Sequence, residues 1–441
     1  MRCAPLLAAA FLGFAAAASA GGAAAQEVPL DSIARLPGAG LERDTASLLS
    51  TARLARLPAT ARAAWQGYIR RSRRLEARDR AFMAAELRAA GMTKMVRAPY
   101  THDFGMEPHM AGAWFAGDSA RRIADNILSW QTPAGGWSKH VPMRLRTRQP
   151  GESWYSESDQ WRYIGTFDND ATVTQLRILG GVADGDRAAA KAGSGPGWGS
   201  GGARYRVAFL HGLAYIRAAQ YPNGCFPQVY PLQGGYHDAA TYNDNATVNI
   251  LRLLRDVAGG RYAFVPPAER RRARGEFRHG LDCVLRSQVV VNGRRTIWAQ
   301  QHDPITLAPA PARSYELVGL SGRESAWLLD FLMELPAPGP RVVAAVHAGV
   351  AWFRAHEIHD SLYDDGLLKA SPGAPPLWAR NTEVETGRPI MANRDGIRLY
   401  DTARLTDRRH GYGWFGTEPA ATLKTYERWA REHPREEGTH R

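Results

Sequence analysis

The feature that most constrains this chain is a turn that recurs three times, always between stretches of helical periodicity. The copies are Gln131-Thr-Pro-Ala-Gly-Gly-Trp-Ser-Lys-His, Gln220-Tyr-Pro-Asn-Gly-Cys-Phe-Pro-Gln-Val and Gln288-Val-Val-Val-Asn-Gly-Arg-Arg-Thr-Ile-Trp. Each sets a helix-ending Gln before a Gly turn and an aromatic. Asn-Gly and Gly-Gly alone merely punctuate helix ends, which leaves the shared Gln and aromatic unexplained. Thr166-Phe-Asp-Asn-Asp-Ala-Thr follows the first copy and Thr241-Tyr-Asn-Asp-Asn-Ala-Thr the second, each opening an apolar-periodic helix; Arg313-Ser-Tyr-Glu follows the third, just before a helix from about Gly322. Helical units repeated in this way stack on their neighbours, because one unit cannot bury its apolar face alone. The prediction is a mainly α chain, an (α/α) toroid of helical hairpins with a few short strands and with equivalent loops gathered at one end.

Helical spacing is clearest at Ile123, Ile127 and Trp130; Val173, Leu176 and Leu179; Phe209, Leu213 and Ile216; Ile250, Leu254 and Val257; and Leu328, Leu332 and Leu335. Few period-two runs compete, the best being Gln288-Val-Val-Val near Thr296-Ile-Trp. Three segments follow. Residues 1–25 have the charged start, apolar run and small-residue cleavage site of a signal peptide, so a secreted or periplasmic protein is expected. Residues 26–95 read as polar helices packed on the main domain, and 96–435 as the toroid itself. Beyond the leader nothing approaches ~18 uncharged apolar residues, so no membrane insertion is expected. A monomer is expected too. The Gly-rich stretch Gly193–Gly202 reads as an expanded, mobile loop.

The 56 Lys and Arg outweigh the 43 Asp and Glu, giving a net charge of +13 that suits a polyanionic partner. The arginines are scattered and no nucleic-acid reading motif is present, which disfavours nucleic acid and leaves acidic polysaccharide or an anionic cell surface. Cys225 and Cys283 remain after the leader, either as a disulfide or as buried free thiols. Only His356 and His359 stand at H-x-x-H spacing without a further ligand, so zinc is not expected. Nucleophile elbows, Walker loops and dinucleotide fingerprints are missing.

Two oxygen-rich clusters, Asp168-Asn169-Asp170 and Asn243-Asp244-Asn245, sit at helix starts. One residue of each would serve as an N-cap; the surplus carboxylate and amide oxygens are what a hard cation such as Ca2+ prefers. Lys139, Arg313, Arg380 and Arg394 lie in segments rich in Gly, Pro and aromatics, and as a set they would read carboxylates along a groove. Trp130, Trp137, Trp154, Trp161, Phe226, Trp298, Trp378 and Trp414 crowd the turns. Core packing accounts for about half of them, leaving the rest to stack on sugar faces.

The stretches Asn126-Ile-Leu-Ser-Trp-Gln-Thr-Pro-Ala-Gly-Gly-Trp-Ser-Lys, Phe167-Asp-Asn-Asp-Ala-Thr-Val-Thr-Gln-Leu-Arg, Gly234-Gly-Tyr-His-Asp-Ala-Ala-Thr-Tyr-Asn-Asp-Asn-Ala, Trp298-Ala-Gln-Gln-His-Asp-Pro through Ala312-Arg-Ser-Tyr-Glu, and Asn393-Arg-Asp-Gly together resemble the family ten polysaccharide lyases, which are pectate lyases. The likeness runs from about Arg97 to Gly416. It implies an (α/α) toroid that cleaves polygalacturonate by Ca2+-dependent β-elimination, giving 4,5-unsaturated ends. It matches Arg313 to the catalytic base, Asp168 and Asp244 to the calcium and substrate centre, and Lys139, Arg380 and Arg394 to the basic groove. The first turn departs from the family's usual Trp-Pro-Lys-Asn and the second from Gly-Gly-Trp-Pro, which bears on rim stacking and subsite preference. An arginine base needs its ordinary pKa, above ~12, brought down, and clustered cations, Ca2+ together with other Arg or Lys groups, are expected to do so. Two rival expectations remain: an inverting glycoside hydrolase using Asp168 and Asp244 as its acid and base, and a pectin-binding protein without activity.

Overall fold

A computed structural model describes residues 48–102, 112–157, 161, 164–191 and 201–435. The signal-peptide reading and most of the Gly-rich loop lie outside the described residues. Gly201 and Gly202, assigned above to that loop, instead begin a helix.

The helices are α1 (Thr51–Ala55), α2 (Ala59–Ala89), α3 (Asp118–Trp130), α4 (Val173–Lys191), α5 (Gly201–Ala219), α6 (Ala246–Ala258), α7 (Pro267–Ser287), α8 (Gly322–Met333), α9 (Pro340–Ala355) and α10 (Glu418–Glu432). Every periodic segment singled out above falls on one of them, with Leu335 just past the end of α8. Helices pair along the chain, α4 with α5, α6 with α7 and α8 with α9, while α4, α6, α8 and α10 also touch in succession. No residue of α6 or α8 is exposed, whereas α7 shows much of its surface to solvent. An inner layer is therefore wrapped by an outer one, the (α/α) toroid.

The shared residues of the repeated turn hold these layers together. The Gln131 amide donates to Gly135 O at 2.9 Å and to Ala208 O on α5 at 3.0 Å. Gln220 does the same to Gly224 O and to Glu276 O on α7, and Gln288 to Thr296 O and to Ala345 O on α9. Each glutamine thus closes its own turn and ties the end of one outer helix to the side of the next. The aromatics add a donor to carbonyls in the last turn of the preceding helix: Trp137 Nε1 donates to Ile127 O and Trp298 Nε1 to Val284 O, and in a fourth, shorter turn after α9 Trp378 Nε1 donates to Phe353 O, at 2.7–2.9 Å. Gly135 (φ 109°) and Gly224 (φ 95°) run so close to the next outer helix that a Cβ would strike His211 O and His279 O.

Backbone bonds then fix where the inner helices start. Thr166 N donates to Trp137 O, Thr241 N to Phe226 O and Ser321 N to Trp298 O. One residue further on, Phe167 N donates to Gln228 O, Tyr242 N to Gln300 O and Gly322 N to Arg380 O. The amino ends of α4, α6 and α8 are therefore knitted around one mouth.

The amino-terminal helices share the main core through Trp65, Tyr68, Met83 and Leu87. Tyr68 OH donates to Ala219 O, Ser72 Oγ accepts from Leu232 N, and buried Asp79 accepts from Ala134 N at 2.7 Å. A smaller cluster of Tyr315, Leu377, Met391, Leu399, Tyr412 and Trp414 supports the segments carrying Arg313, Arg380 and Arg394. The strand expected near Gln288 is present as Val290–Val291 paired with Arg294–Arg295 through Asn292-Gly293. A longer hairpin, Ser361–Asp364 with Leu367–Ala370, was not anticipated. Cys225 and Cys283 form a disulfide. Among the described residues no helix is long and apolar enough to cross a membrane.

Candidate active site

Each turn delivers one polar side chain to the mouth, two residues after its aromatic: Lys139 after Trp137, Gln228 after Phe226, Gln300 after Trp298 and Arg380 after Trp378. A continuous hydrogen-bonded chain runs from Lys139 through Gln300 to Arg313. Lys139 Nζ meets Asp168 Oδ2 at 2.5 Å and Asn169 Oδ1 at 3.2 Å. Asn243 Nδ2 bridges Asp168 Oδ1 at 3.3 Å and Asp244 Oδ2 at 2.7 Å. Gln300 Nε2 donates to Asn243 Oδ1 and, at 3.2 Å, to Glu316 Oε1. Glu316 also receives Tyr412 OH at 3.2 Å and clasps Arg313. Arg380, lying 4.4 Å above the Tyr412 ring, pairs with Glu324 at 2.8 Å.

Arg313, Lys139, Asp168, Asp244 and Arg380 thus lie around one mouth. Arg394 does not join them. It is exposed, 4.0 Å from Asp407 at the rim, although its loop folds over the Arg313 turn: a Cβ on Gly396 would meet Ser314 O at 3.3 Å. Gln228, Gln300, Glu316, Glu324 and Tyr412 were not singled out as site residues, and Asn243 only as a member of its oxygen-rich cluster. The register of the turns could have found the two glutamines, since they stand where Lys139 and Arg380 do; Glu316 lies in the quoted Arg-Ser-Tyr-Glu but carries no spacing signal.

The two acidic residues experience opposite fields. Burial would raise Asp168, but the adjacent Lys139 ammonium holds it below the usual carboxylate range. Asp244 is pushed up to about 6 by burial and by the Asp168 and Glu324 charges, Arg380 notwithstanding. A buried carboxylate held this high lacks enough positive charge nearby.

The expectation that neighbouring Arg and Lys groups lower the Arg313 pKa is overturned here. Burial pulls it down, but the paired Glu316, with Tyr315 and Tyr412, more than offsets that and raises it. The nearest charge to the guanidinium is an anion, and a bond at 2.5 Å outweighs cations farther away. The sugar-stacking expectation also needs correction. All eight aromatics named above are at most 4% exposed, and each is accounted for by the core or by capping a helix. The departure to Phe226 in the second turn is therefore a core substitution and leaves no rim ring missing. His302 is likewise structural: it is buried, bonded through Nδ1 to Leu307 O and through Nε2 to Ala299 N, and burial takes its pKa down to about 4.

For a hard cation the donor set is suitable without being assembled. Among the described residues no three His, Cys, Asp or Glu groups converge in a metal-holding arrangement. Asp168 and Asp244 are bridged by an amide N–H2, a donor in the place where a cation would draw both oxygens. Asn245 Oδ1 and Gln228 Oε1 are buried acceptors without a hydrogen-bond partner among the described residues. Carboxylate and amide oxygens are the ligands Ca2+ takes, and the raised Asp244 is the group such a charge would settle.

Comparison with known proteins gives a consistent picture. The family model described as pectic acid lyase matches residues 131–423. A family 10 polysaccharide lyase from Cellvibrio cellulosa is similar at 32% identity and TM-score 0.60, covering 73% of this chain and 94% of that one. An alanine mutant of a family 10 polysaccharide lyase from the same organism, in complex with trigalacturonic acid, matches at 31% identity and TM-score 0.60, over 74% of this chain and 98% of that one. A search of curated proteins gave no match.

Proposed function

Because this chain belongs to the pectic acid lyases of polysaccharide lyase family ten, we propose that it cleaves polygalacturonate by Ca2+-dependent β-elimination with Arg313 as the base. A trigalacturonic acid complex in a relative supports the acidic substrate. The observation that carries the reading is the joining of Arg313, from the loop before α8, to Asp168, from the start of α4, through Glu316, Gln300 and Asn243.

The C5 proton of a uronate is only weakly acidic until the neighbouring carboxylate is neutralised. Asp168 and Asp244, with Asn245 Oδ1 beside them, would hold Ca2+, whose charge acidifies that proton when bound. Lys139 and Arg380 set fixed positive charge beside the groove, where it offsets the enolate-like charge that develops in the transition state. The amino ends of α4, α6 and α8, which face the same mouth, favour anions as well. Arg394 at the rim is suited to a carboxylate farther along the substrate.

Hydrolysis is the weaker reading. Both carboxylates bond to the single atom Asn243 Nδ2, at 3.3 and 2.7 Å, whereas an inverting hydrolase holds its pair about 6.5–9.5 Å apart to admit a water. The disulfide suits export to an oxidising compartment. The deciding experiment is Arg313→Ala or Arg313→Lys assayed on polygalacturonate. Ultraviolet absorbance of unsaturated product should vanish while oligogalacturonate binding by calorimetry persists; normal turnover would refute the base. Binding without depolymerisation by the wild-type chain would leave only the pectin-binding role.

A further inference from the structure

Arg313 is engaged on one side only. Its Nε donates to Glu316 Oε2 at 2.7 Å, its Nη2 to Glu316 Oε1 at 2.5 Å, and its backbone N–H to Glu316 Oε2 at 3.1 Å. Nη1 has no hydrogen-bond partner among the described residues. The Arg313 side chain is 44% exposed while that of Glu316 is 4% exposed, so the clamp lies beneath the guanidinium and the open nitrogen is on the solvent side. A two-pronged carboxylate fixes both the plane and the rotation of a guanidinium, which one point contact cannot do.

We infer that Glu316 is the positioning residue of the elimination: it selects Nη1 as the nitrogen that takes the C5 proton and sets the alkaline range in which that nitrogen is available. The inference rests on the reading of Arg313 as base. In the step it implies, the resting proton on Nη1 leaves to hydroxide of the alkaline medium. The C5–H bond then breaks and an N–H bond forms at Nη1. The C–H electron pair becomes the C4–C5 double bond, and the C4–O4 pair departs on O4, which takes a proton from water. Glu316 acts oppositely on the two ends of this transfer. It makes the neutral guanidine scarce, and it stabilises the guanidinium that forms, which makes each neutral guanidine a stronger base.

The other groups facing this pair do not substitute for it. Arg408 lies 4.2 Å over the Tyr315 ring and 5.5 Å over Tyr412, and Arg313 itself is 4.9 and 5.9 Å from the same two rings. Arg380 acts on Glu316 from the opposite side, and Arg394 acts on Tyr315. Asp168 feels Arg313 through space. None of these shares a hydrogen bond with the guanidinium. Gln300 and Tyr412 hold Glu316 Oε1 from behind, so the carboxylate cannot turn to follow a displaced arginine.

The test uses the full chain, purified, with polygalacturonate and Ca2+ across a pH series. Glu316→Gln is expected to lower kcat about a hundredfold with KM within about threefold, and to move the acid-side limb of the pH profile at least one unit toward neutral. Glu316→Asp keeps the charge but cannot reach both nitrogens; it should lower kcat at least about tenfold and leave that limb in place. If Glu316→Gln does not fold, Glu316→Asp decides alone, and an unchanged kcat there overturns the inference. An unshifted pH limb and wild-type kcat in folded Glu316→Gln overturn it too. Failure of the base reading looks different: Arg313→Ala would then turn over normally.

Discussion

The turns at Thr166–Thr172 and Thr241–Thr247 are two copies of one device, and the site works because they are not quite copies. Their backbones coincide as far as Asp170 and Asn245, after which Ala171 is extended and Thr172 left-handed while Ala246 already begins its helix. Asn169 and Asp170 have φ of 49° and 63°, and their counterparts Asp244 and Asn245 have 47° and 61°. Thr166 Oγ1 accepts from Asp168 N at 3.1 Å as Thr241 Oγ1 accepts from Asn243 N at 3.2 Å. The charges are out of register: Asp168 and Asp170 correspond to Asn243 and Asn245, and Asp244 to Asn169. In consequence the Asp168 carboxylate points to Lys139 and is neutralised within the fold. The Asp244 carboxylate meets an amide and two other acids and is pushed up to about 6. A repeat can thus supply the same scaffold twice while a shift of charge pairs one acid with an ammonium and leaves the other short of positive charge.

The sharpest way to break this contrast is Asp168→Asn. The buried Lys139 ammonium would lose its nearest carboxylate and be left with Glu157 at 3.4 Å and Asn169 Oδ1 at 3.2 Å, and breaking a buried pair costs about 3–5 kcal/mol. Urea unfolding should show a loss near the lower end of that range, and turnover should fall by about a thousandfold or more because metal, substrate and Lys139 all lose a partner. Retained turnover would reduce Asp168 to a structural partner of Lys139.

Asp244→Asn should do the reverse. The folded pKa of Asp244 lies above its ordinary value, so the unfolded chain binds fewer protons between about pH 4 and 6 and stability falls as pH rises through that window. Above it the penalty is full, about 3 kcal/mol for a rise of about two units. Asparagine keeps an oxygen for Asn243 Nδ2 and removes the charge. The variant should therefore be more stable than wild type at pH 8 without Ca2+, equal to it at pH 4, and no longer stabilised by added Ca2+. Wild type at a hundredfold excess over Kd should gain about 2.7 kcal/mol. A stability gain that persists at pH 4 would show that burial of charge is not what Asp244 suffers.

Much of this was legible in the sequence. Gln131, Gln220 and Gln288 marked the repeat because each must close its turn and reach the next outer helix, two demands that few side chains meet. The acid clusters were legible because left-handed backbone selects Asn and Asp. What stayed hidden depends on contacts far apart in sequence. Glu316 sits three residues from Arg313, but its grip matters only because Gln300 and Tyr412 pin its other side. The tryptophans misled because their capping role appears only once the end of the preceding helix is seen beneath the indole.

The gentlest test separates backbone from ligand within the two turns. Asn245 is left-handed and its Oδ1 is a buried acceptor without a partner; Asn169 is left-handed too, but its Oδ1 already receives Lys139. Glycine accepts such a conformation freely, while alanine is penalised by roughly 1–2 kcal/mol. Asn245→Ala should thus be less stable than Asn245→Gly by about that amount, although both should weaken Ca2+ binding alike, by about tenfold if one oxygen ligand is lost. At position 169 the same stability gap is expected, with the Gly variant changing Lys139 and leaving Ca2+ affinity near wild type. Should Asn169→Gly and Asn245→Gly weaken Ca2+ equally, the division of labour between the two turns fails, because a ligand role would then follow from the shared backbone and owe nothing to the displaced charge.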